Sequence, residues 1–286
     1  MKKILVTGAN GQLGQCLQKI SSQFEEFEFI FTDSETLDIT NKEEVNDFFW
    51  QNAPDFCINA AAYTAVDLAE TDIEKAFLVN ADGTENLAEA CAENNAQFIH
   101  VSTDYVFDGE NNLAYTEEDF TNPLGVYGAS KLAGDELALE VNPCSVILRT
   151  SWVYSEFGKN FVKTMLNLFA TKEELSIVAD QFGQPTNAND LAEAIMKIIK
   201  SEKITPGIFN FSNLGRISWF DFAEKIAELS EAKIKLNAIE TSQYPTPAKR
   251  PKNSVLDLDK ISKTYGVQLK PWEESLEGCV QILQNN

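Results

Sequence analysis

Residues 2–20, KKILVTGANGQLGQCLQKI, decide the fold. The apolar run Ile4-Leu5-Val6 has the length and β-branched character of a strand, and it stops at Gly8-Ala9-Asn10-Gly11-Gln12-Leu13-Gly14. From there Leu13, Leu17 and Ile20 recur at helical spacing. Strand, glycine turn and helix in that order form a phosphate cradle. The glycines permit a tight turn and a close backbone approach, and the opening helix offers free N–H groups to a pyrophosphate. The glycine triplet alone is a weak signal, since an ordinary strand-to-helix turn looks the same. Its context strengthens it: the next strand-like run, FEFIFTD at 27–33, ends on Asp33, where a carboxylate can accept from both hydroxyls of an adenine ribose and repel a 2′-phosphate. That leans toward NADH, although Asp33 can equally cap a turn. Asp38 with Ile39 is a second candidate for the adenine end.

The alternation begun here continues. DFCINAAAY at 55–63, QFIHVSTDYVF at 97–107 and CSVILRTSWVY at 144–154 are apolar and mostly not alternating, which suits strands buried on both faces of a parallel sheet. Helical patterns lie between them at 11–23, 41–52, 71–94 and 128–140, with Asn41 as an N-cap and Val45, Phe48 and Phe49 on one face. Strict alternation implies right-handed crossovers and an α/β, doubly wound parallel sheet of Rossmann type. Past residue 150 the pattern loosens into a helix at 158–171, the stretch ELSIVADQFGQPT, a helix in NDLAEAIMKIIK and a short strand GIFNFSN. A helix at 218–230, a Pro-rich loop and a last helix from 272 follow. We expect residues 1–150 to form a dinucleotide-binding domain to which the chain returns at 174–212, and residues 151–173 and 213–286 to form a smaller C-terminal α/β substrate lobe.

The chain of 286 residues carries 23 Lys and Arg against 44 Asp and Glu, a net charge of −21. Such a field argues against nucleic acid or anionic membrane as main partners, while 44% hydrophobic residues excludes an acidic disordered chain. The opening segment does not read as a signal peptide and no window has the length of a membrane span. Cys16, Cys57, Cys91, Cys144 and Cys279 are odd in number and widely spaced, which fits free thiols in a reducing cytoplasm. The single histidine, His100, lies within an apolar run and reads as a core residue.

Tyr127 and Lys131 stand four apart in VYGASK, on one face of a helix. Reduction of a carbonyl by hydride needs a proton for the developing alkoxide. A tyrosine, with its ordinary pKa of about 10, is a neutral donor at pH 7, and a nearby ammonium favours the phenolate it leaves. Such a pair is common by chance, but Ser102-Thr103-Asp104 ends the preceding strand, where a hydroxyl points into the crevice in which ligands bind. Thr103 can hold a substrate carbonyl beside Tyr127. Trp152 offers a flat face to a sugar ring or fills a core. The loop 241–256 holds Lys249, Arg250 and Lys252 and no acid, stiffened by Pro245, Pro247 and Pro251; Arg250 is a candidate diphosphate clamp. With the rest of the chain so acidic, we expect a small basic, amide-lined cleft.

On the glycine loop, Asn59-Ala-Ala-Ala, the segment Val79 to Leu87 and Tyr-x-x-x-Lys, the chain resembles the extended branch of the short-chain dehydrogenase/reductase superfamily. On AYTAVD at 62–67 with Glu70, STDYVFDG at 102–109, RTSWVY at 149–154, QFGQPT at 181–186 and YPTPAKRP at 244–251 it is similar to the dTDP-4-dehydrorhamnose reductases, over essentially its whole length. The resemblance implies hydride transfer from NADPH or NADH to C4 of dTDP-4-dehydro-L-rhamnose with protonation of O4, the last step of dTDP-L-rhamnose biosynthesis. It implies a catalytic triad of Thr103, Tyr127 and Lys131. It further implies a cofactor site of Gly8, Gly11, Gln12, Leu13, Gly14, Asp33, Asp38, Ile39, Ala62, Tyr63 and Thr64, with Lys131 on the nicotinamide ribose, and sugar-nucleotide contacts from Thr103, Asp104 and Trp152. Some members gather Mg²⁺ with glutamates at a dimer interface; Gln15 and Asn189 stand at or near two of those places, so we expect no metal, in a monomer or homodimer. Two alternatives stay open: an epimerase or dehydratase of the same fold, against which counts the absence of Glu after Asp104, and a non-catalytic nucleotide-binding subunit.

Overall fold

The computed structural model describes residues 1–285. In chain order the elements are β1 (Lys2–Thr7), α1 (Gln12–Ser21), β2 (Phe27–Phe31), α2 (Lys42–Asn52), β3 (Phe56–Asn59), α3 (Val66–Ala69), α4 (Ile73–Phe77), α5 (Gly83–Glu93), β4 (Gln97–Thr103), α6 (Val126–Val141), β5 (Val146–Thr150) and β6 (Val153–Tyr154). There follow α7 (Phe161–Phe169), β7 (Glu174–Val178), β8 (Phe182–Gly183), β9 (Thr186–Asn187), α8 (Ala188–Ile199), β10 (Gly207–Asn210), β11 (Ile217–Ser218), α9 (Trp219–Leu229), β12 (Lys235–Ile239), α10 (Asp259–Tyr265) and α11 (Trp272–Gln284).

Six strands pair in parallel in the order β10-β5-β4-β3-β1-β2. The strand order reverses beside β1, so the crevice for ligands opens at the carboxyl ends of β1 and β3. The non-alternating sequence of these strands has its cause in two buried faces. Ile4 and Val6 pack with Leu13, Leu17, Leu191 and Ile195 of α1 and α8. Leu5 and Cys57 pack on the opposite side with Phe49, Leu87 and Ala138 of α2, α5 and α6.

Asn41 caps α2 as expected, its side chain accepting from Glu44 N. The helical pattern at 71–94 is one continuous run with an irregularity the periodicity did not reveal: between α4 and α5, Leu78–Asp82 forms a π-turn. There Asn80 is fully buried and donates to Tyr63 O at 3.1 Å, accepts from Tyr63 N at 2.8 Å and donates to Ser130 Oγ at 3.0 Å. It therefore holds the loop after β3 against α6.

The C-terminal lobe has its own core, in which Tyr154, Val162, Met165, Phe222, Ile226, Trp272 and Leu276 are buried together. Of the segment 174–212, α8 and β10 rejoin the main sheet, but β7 does not. It pairs residue for residue with β12, Glu174 to Lys235 through Val178 to Ile239, and so belongs with the lobe. The return begins at about α8. Strand β12 and helix α10 were not expected from the sequence.

Candidate active site

A cleft of about 1010 Å³ runs along the carboxyl ends of the sheet. It begins at the glycine loop. Gly8 has φ +69°, and a Cβ there would meet Ala61 N and the Ala60 carbonyl at 2.6–2.7 Å, so only glycine lets β1 turn against the loop after β3. Gly11 is the extended N-cap of α1, no side chain caps that helix, and no acid lies in its first turn. An uncapped helix start with a glycine cradle fits a dinucleotide pyrophosphate.

Gly8, Gly11, Gln12, Leu13, Asp33, Asp38, Ile39, Ala62, Thr64, Thr103, Asp104, Tyr127, Lys131 and Trp152 all line this cleft. Gly14, Tyr63 and Arg250 are not among its lining residues. Gly14 lies behind the loop against Ala9. The Tyr63 ring turns to Asp72, its Oη donating at 3.2 Å. The Arg250 guanidinium forms a fork with Asp67, Nη1 to Oδ1 at 3.0 Å and Nη2 to Oδ2 at 2.9 Å, and holds that carboxyl below its usual range. Consequently the expected basic cleft is not formed. The acidic and basic lining residues are Asp33, Glu35, Asp38 and Asp104 against Lys131 and Lys159; the basic loop lies to one side, with Lys249 on a small adjoining pocket beside Tyr105 and Tyr127.

Asp33 does cap its own turn. Oδ1 accepts from Thr36 Oγ1 at 2.9 Å and from the Glu35 and Thr36 amides, and Oδ2 accepts from Asn10 Nδ2 at 2.6 Å. The Thr36 hydroxyl is the main cause of its lowered pKa. Gln12 bridges to the far side, accepting from Asn160 Nδ2 at 2.9 Å and Ser155 Oγ at 3.2 Å.

The chemistry-bearing groups rise from β4 and α6. Glu70 accepts from Val126 N at 2.8 Å and so anchors the start of α6, an acid at a helix N-terminus. Thr103 Oγ1 donates to Asp104 Oδ1 at 3.1 Å. Burial lifts Asp104 to a pKa of about 7, and its Oδ2 is buried without a hydrogen-bond partner. Burial pushes Tyr127 up to about 12, partly offset by the Thr103 hydroxyl; its ring meets Tyr105 edge to face at 5.7 Å. Lys131 departs from expectation. Its Nζ points inward, 2.8 Å from Val101 O and 3.0 Å from His100 Nε2, and burial brings its pKa down to about 8. The ammonium is therefore not what governs Tyr127 in this arrangement.

The opposite wall is aromatic. Trp152, at φ +46°, lies face to face with Trp219, with centroids 3.5 Å apart and planes 9° from parallel. A Cβ on Gly183 would meet the Trp152 ring at 2.6–2.8 Å. Both the sugar-platform and core readings of Trp152 thus need qualification, because the ring lines the cleft with one face already covered. Trp219 and Lys159 were missed by the sequence reading, and only the fold brings them to the cleft.

Among the described residues no three His, Cys, Asp or Glu are grouped to hold a metal ion, and no helix is long and apolar enough to cross a membrane. The profile described as the RmlD substrate binding domain matches residues 1–285. The chain is 45% identical to the dTDP-4-dehydrorhamnose reductase of Aggregatibacter actinomycetemcomitans, covering 97% of this chain and 98% of that protein. It is 44% identical to the crystal structure of a dTDP-4-dehydrorhamnose reductase from Clostridium acetobutylicum, with a TM-score of 0.95 and 99% of both chains covered. A Bacillus anthracis dTDP-4-dehydrorhamnose reductase solved in complex with NADP is 39% identical, with a TM-score of 0.94 over 99% of this chain and 100% of that one. Glycine cradle, Thr-Tyr-Lys cluster and full-length similarity converge: the chain belongs to the dTDP-4-dehydrorhamnose reductase family, within the extended short-chain dehydrogenase/reductase fold.

Proposed function

We propose that this chain reduces dTDP-4-dehydro-β-L-rhamnose to dTDP-β-L-rhamnose, the last step of dTDP-L-rhamnose biosynthesis, with Tyr127 as the proton donor to O4. The observation that carries the reading is the convergence of Thr103, Tyr127 and Lys131 on one cleft that starts at the uncapped, glycine-lined N-terminus of α1. NADPH or NADH, held at the glycine loop and the N-terminus of α1, would supply the hydride to C4. Every other task falls to side chains. A tyrosine at about 12 is fully protonated at neutral pH and holds its proton until the substrate oxygen becomes an alkoxide, a stronger base. Thr103 Oγ1 positions that oxygen beside Tyr127, and Asp104 near 7 switches between accepting from Thr103 and donating to the sugar.

Arg250 remains our candidate for the diphosphate. A diphosphate accepting both arms of the fork takes the place of the Asp67 carboxylate, which is 42% exposed and open to exchange. The dehydratase alternative lacks a second acid: Tyr105 follows Asp104. We place the enzyme in the cytoplasm, on its five unpaired cysteines.

The test is loss of absorbance at the reduced-nicotinamide band on adding dTDP-4-dehydrorhamnose. Wild type consumes one cofactor per sugar, and Tyr127→Phe lowers kcat by about a hundredfold or more. No consumption by wild type, or full activity in the variant, overturns the assignment.

A further inference from the structure

The single histidine of the chain lies beneath the proposed site, fully buried, and what it touches is Lys131. Its orientation follows from a chain of hydrogen bonds that begins two strands away. Asn59 Oδ1 accepts from Thr7 Oγ1 at 2.7 Å and from the Ala61 amide at 3.2 Å. The amide N–H can only donate, so the Asn59 side chain has one orientation, with Nδ2 toward His100 Nδ1 at 3.0 Å. Nδ1 is then an acceptor. Burial and the facing Lys131 hold the ring neutral, well below its ordinary pKa, so its one proton sits on Nε2, and Nε2 is 3.0 Å from Lys131 Nζ.

An Nε2–H needs an acceptor. A lysine amine has a lone pair, whereas an ammonium has three donors and none. Val101 O takes one N–H of Nζ at 2.8 Å. The inward position of Lys131 is thus a seat for the uncharged amine. Around it stand Asp135, whose Oδ1 is 3.8 Å from His100 Nε2 and whose Oδ2 is shared by Ser102 and Arg149, with Phe98 stacked on the imidazole. Asp135 and Arg149 are the only other charged groups that these contacts bring to the pair.

We propose that His100 is a positioning residue for the reduction: oriented by Asn59, it offers Nε2–H to Lys131, so that Lys131 turns inward as an amine and outward to the cleft as an ammonium. The lysine's place is coupled to its charge. Positive charge reaches the neighbourhood of Tyr127 only when Lys131 is protonated, which is when a phenolate there needs it. The inference rests on the roles given above to Tyr127 and Lys131, and its first test does not.

With ¹⁵N-labelled histidine, the ring signals of the wild-type protein belong to His100 alone. Long-range ¹⁵N–¹H correlation is expected to show the proton on Nε2, a bare Nδ1 and no imidazolium between pH 8 and 6. A proton on Nδ1 overturns the proposal and leaves the reductase assignment standing. The second test is kinetic. His100→Phe keeps a planar ring without the donor, so the inward amine loses its partner and the alkaline limb of the kcat profile moves upward, with KM for the sugar nucleotide unchanged, and His100→Gln, which keeps an N–H, moves it back part of the way. Asn59→Asp accepts from Nδ1–H, turns Nε2 into an acceptor for the ammonium, and moves the alkaline limb of the kcat profile upward. If folded His100→Phe has the kcat and pH profile of wild type, the histidine is structural only and the proposal fails.

Discussion

The two walls of the cleft are built on different principles. The floor, from β1, β3, β4 and α6, is polar and held by directed bonds: Asn59, Asn80, His100, Lys131 and Asp135 are all buried, and each has named partners. The far wall, from β6, β8 and α9, is held by surface contact, with Trp152 on Trp219, Phe161 beside Trp219, and Phe222 against Phe161 and Trp272. Directed bonds in a dry setting fix atoms and protonation states. Stacked rings fix shape and leave protonation out of it. On the proposed function, chemistry falls to the floor and selection of the sugar to the wall.

Lys131→Met probes the floor hardest. Turnover is expected to fall by about a hundredfold or more, while stability at pH 7 rises. The folded protein holds this lysine at about 8 against an ordinary 10.5, so its charge costs about 3 kcal/mol at neutral pH, at about 1.4 kcal/mol per unit. Between those two values the unfolded chain binds more protons, so wild-type stability from this group increases with pH and the variant lacks that increase. Denaturant unfolding at pH 7 and 10 measures it, and parallel behaviour of the two proteins refutes it.

Arg250→Ala tests whether the basic loop belongs to either wall. KM for the sugar nucleotide is expected to rise by about tenfold with kcat little changed, whereas Asp67→Asn, which frees the fork, leaves KM equal or lower. An unchanged KM in the first variant removes Arg250 from the site. Gly183→Ala breaks the aromatic wall. Overpacking against Trp152 costs about 1–3 kcal/mol and raises KM for the sugar by a smaller factor, with cofactor KM unaffected; equal effects on both ligands erase the division between walls. The smallest effect on KM at pH 6 belongs to Asp104→Asn. Because the folded state raises this carboxyl from 3.8 to about 7, it binds the proton more tightly than the unfolded chain, and wild-type stability falls as pH climbs through that window. Asn stays neutral, so the variant loses this slope, resembles wild type in KM at pH 6 and diverges above pH 7.

The floor was legible because its parts sit in regular strand and helix repeats. Tyr127 and Lys131 are visible by spacing, and Thr103 by its place at a strand end. Direction was not visible. The i, i+4 relation put Lys131 on the face of Tyr127 but did not show Nζ turning to Val101 O and His100, although Asp135 one turn further and His100 in the adjoining strand carried the signal. In the far wall, Trp152 and Trp219 come from separate segments, and the short pairing of β8 with β11 sets Gly183, against the Trp152 ring, beside the start of α9. Strand β12 escaped notice because it is only half buried and carries no apolar run, and α10 because its seven residues have no side-chain cap.

The π-turn at Leu78–Asp82 has a mechanical meaning. One extra residue in a helix swings everything beyond it by about 100°. That increment sets the face on which Leu87 enters the core, with Asn80 at the joint gripping the loop after β3 on one side and the helix of Tyr127 on the other. The segment acts as a shim. Shortening it by one residue would rotate Leu87 and Cys91 out of the core and lift Asn80 off both its clients, so the loop after β3 and the helix of Tyr127 share a single point of alignment.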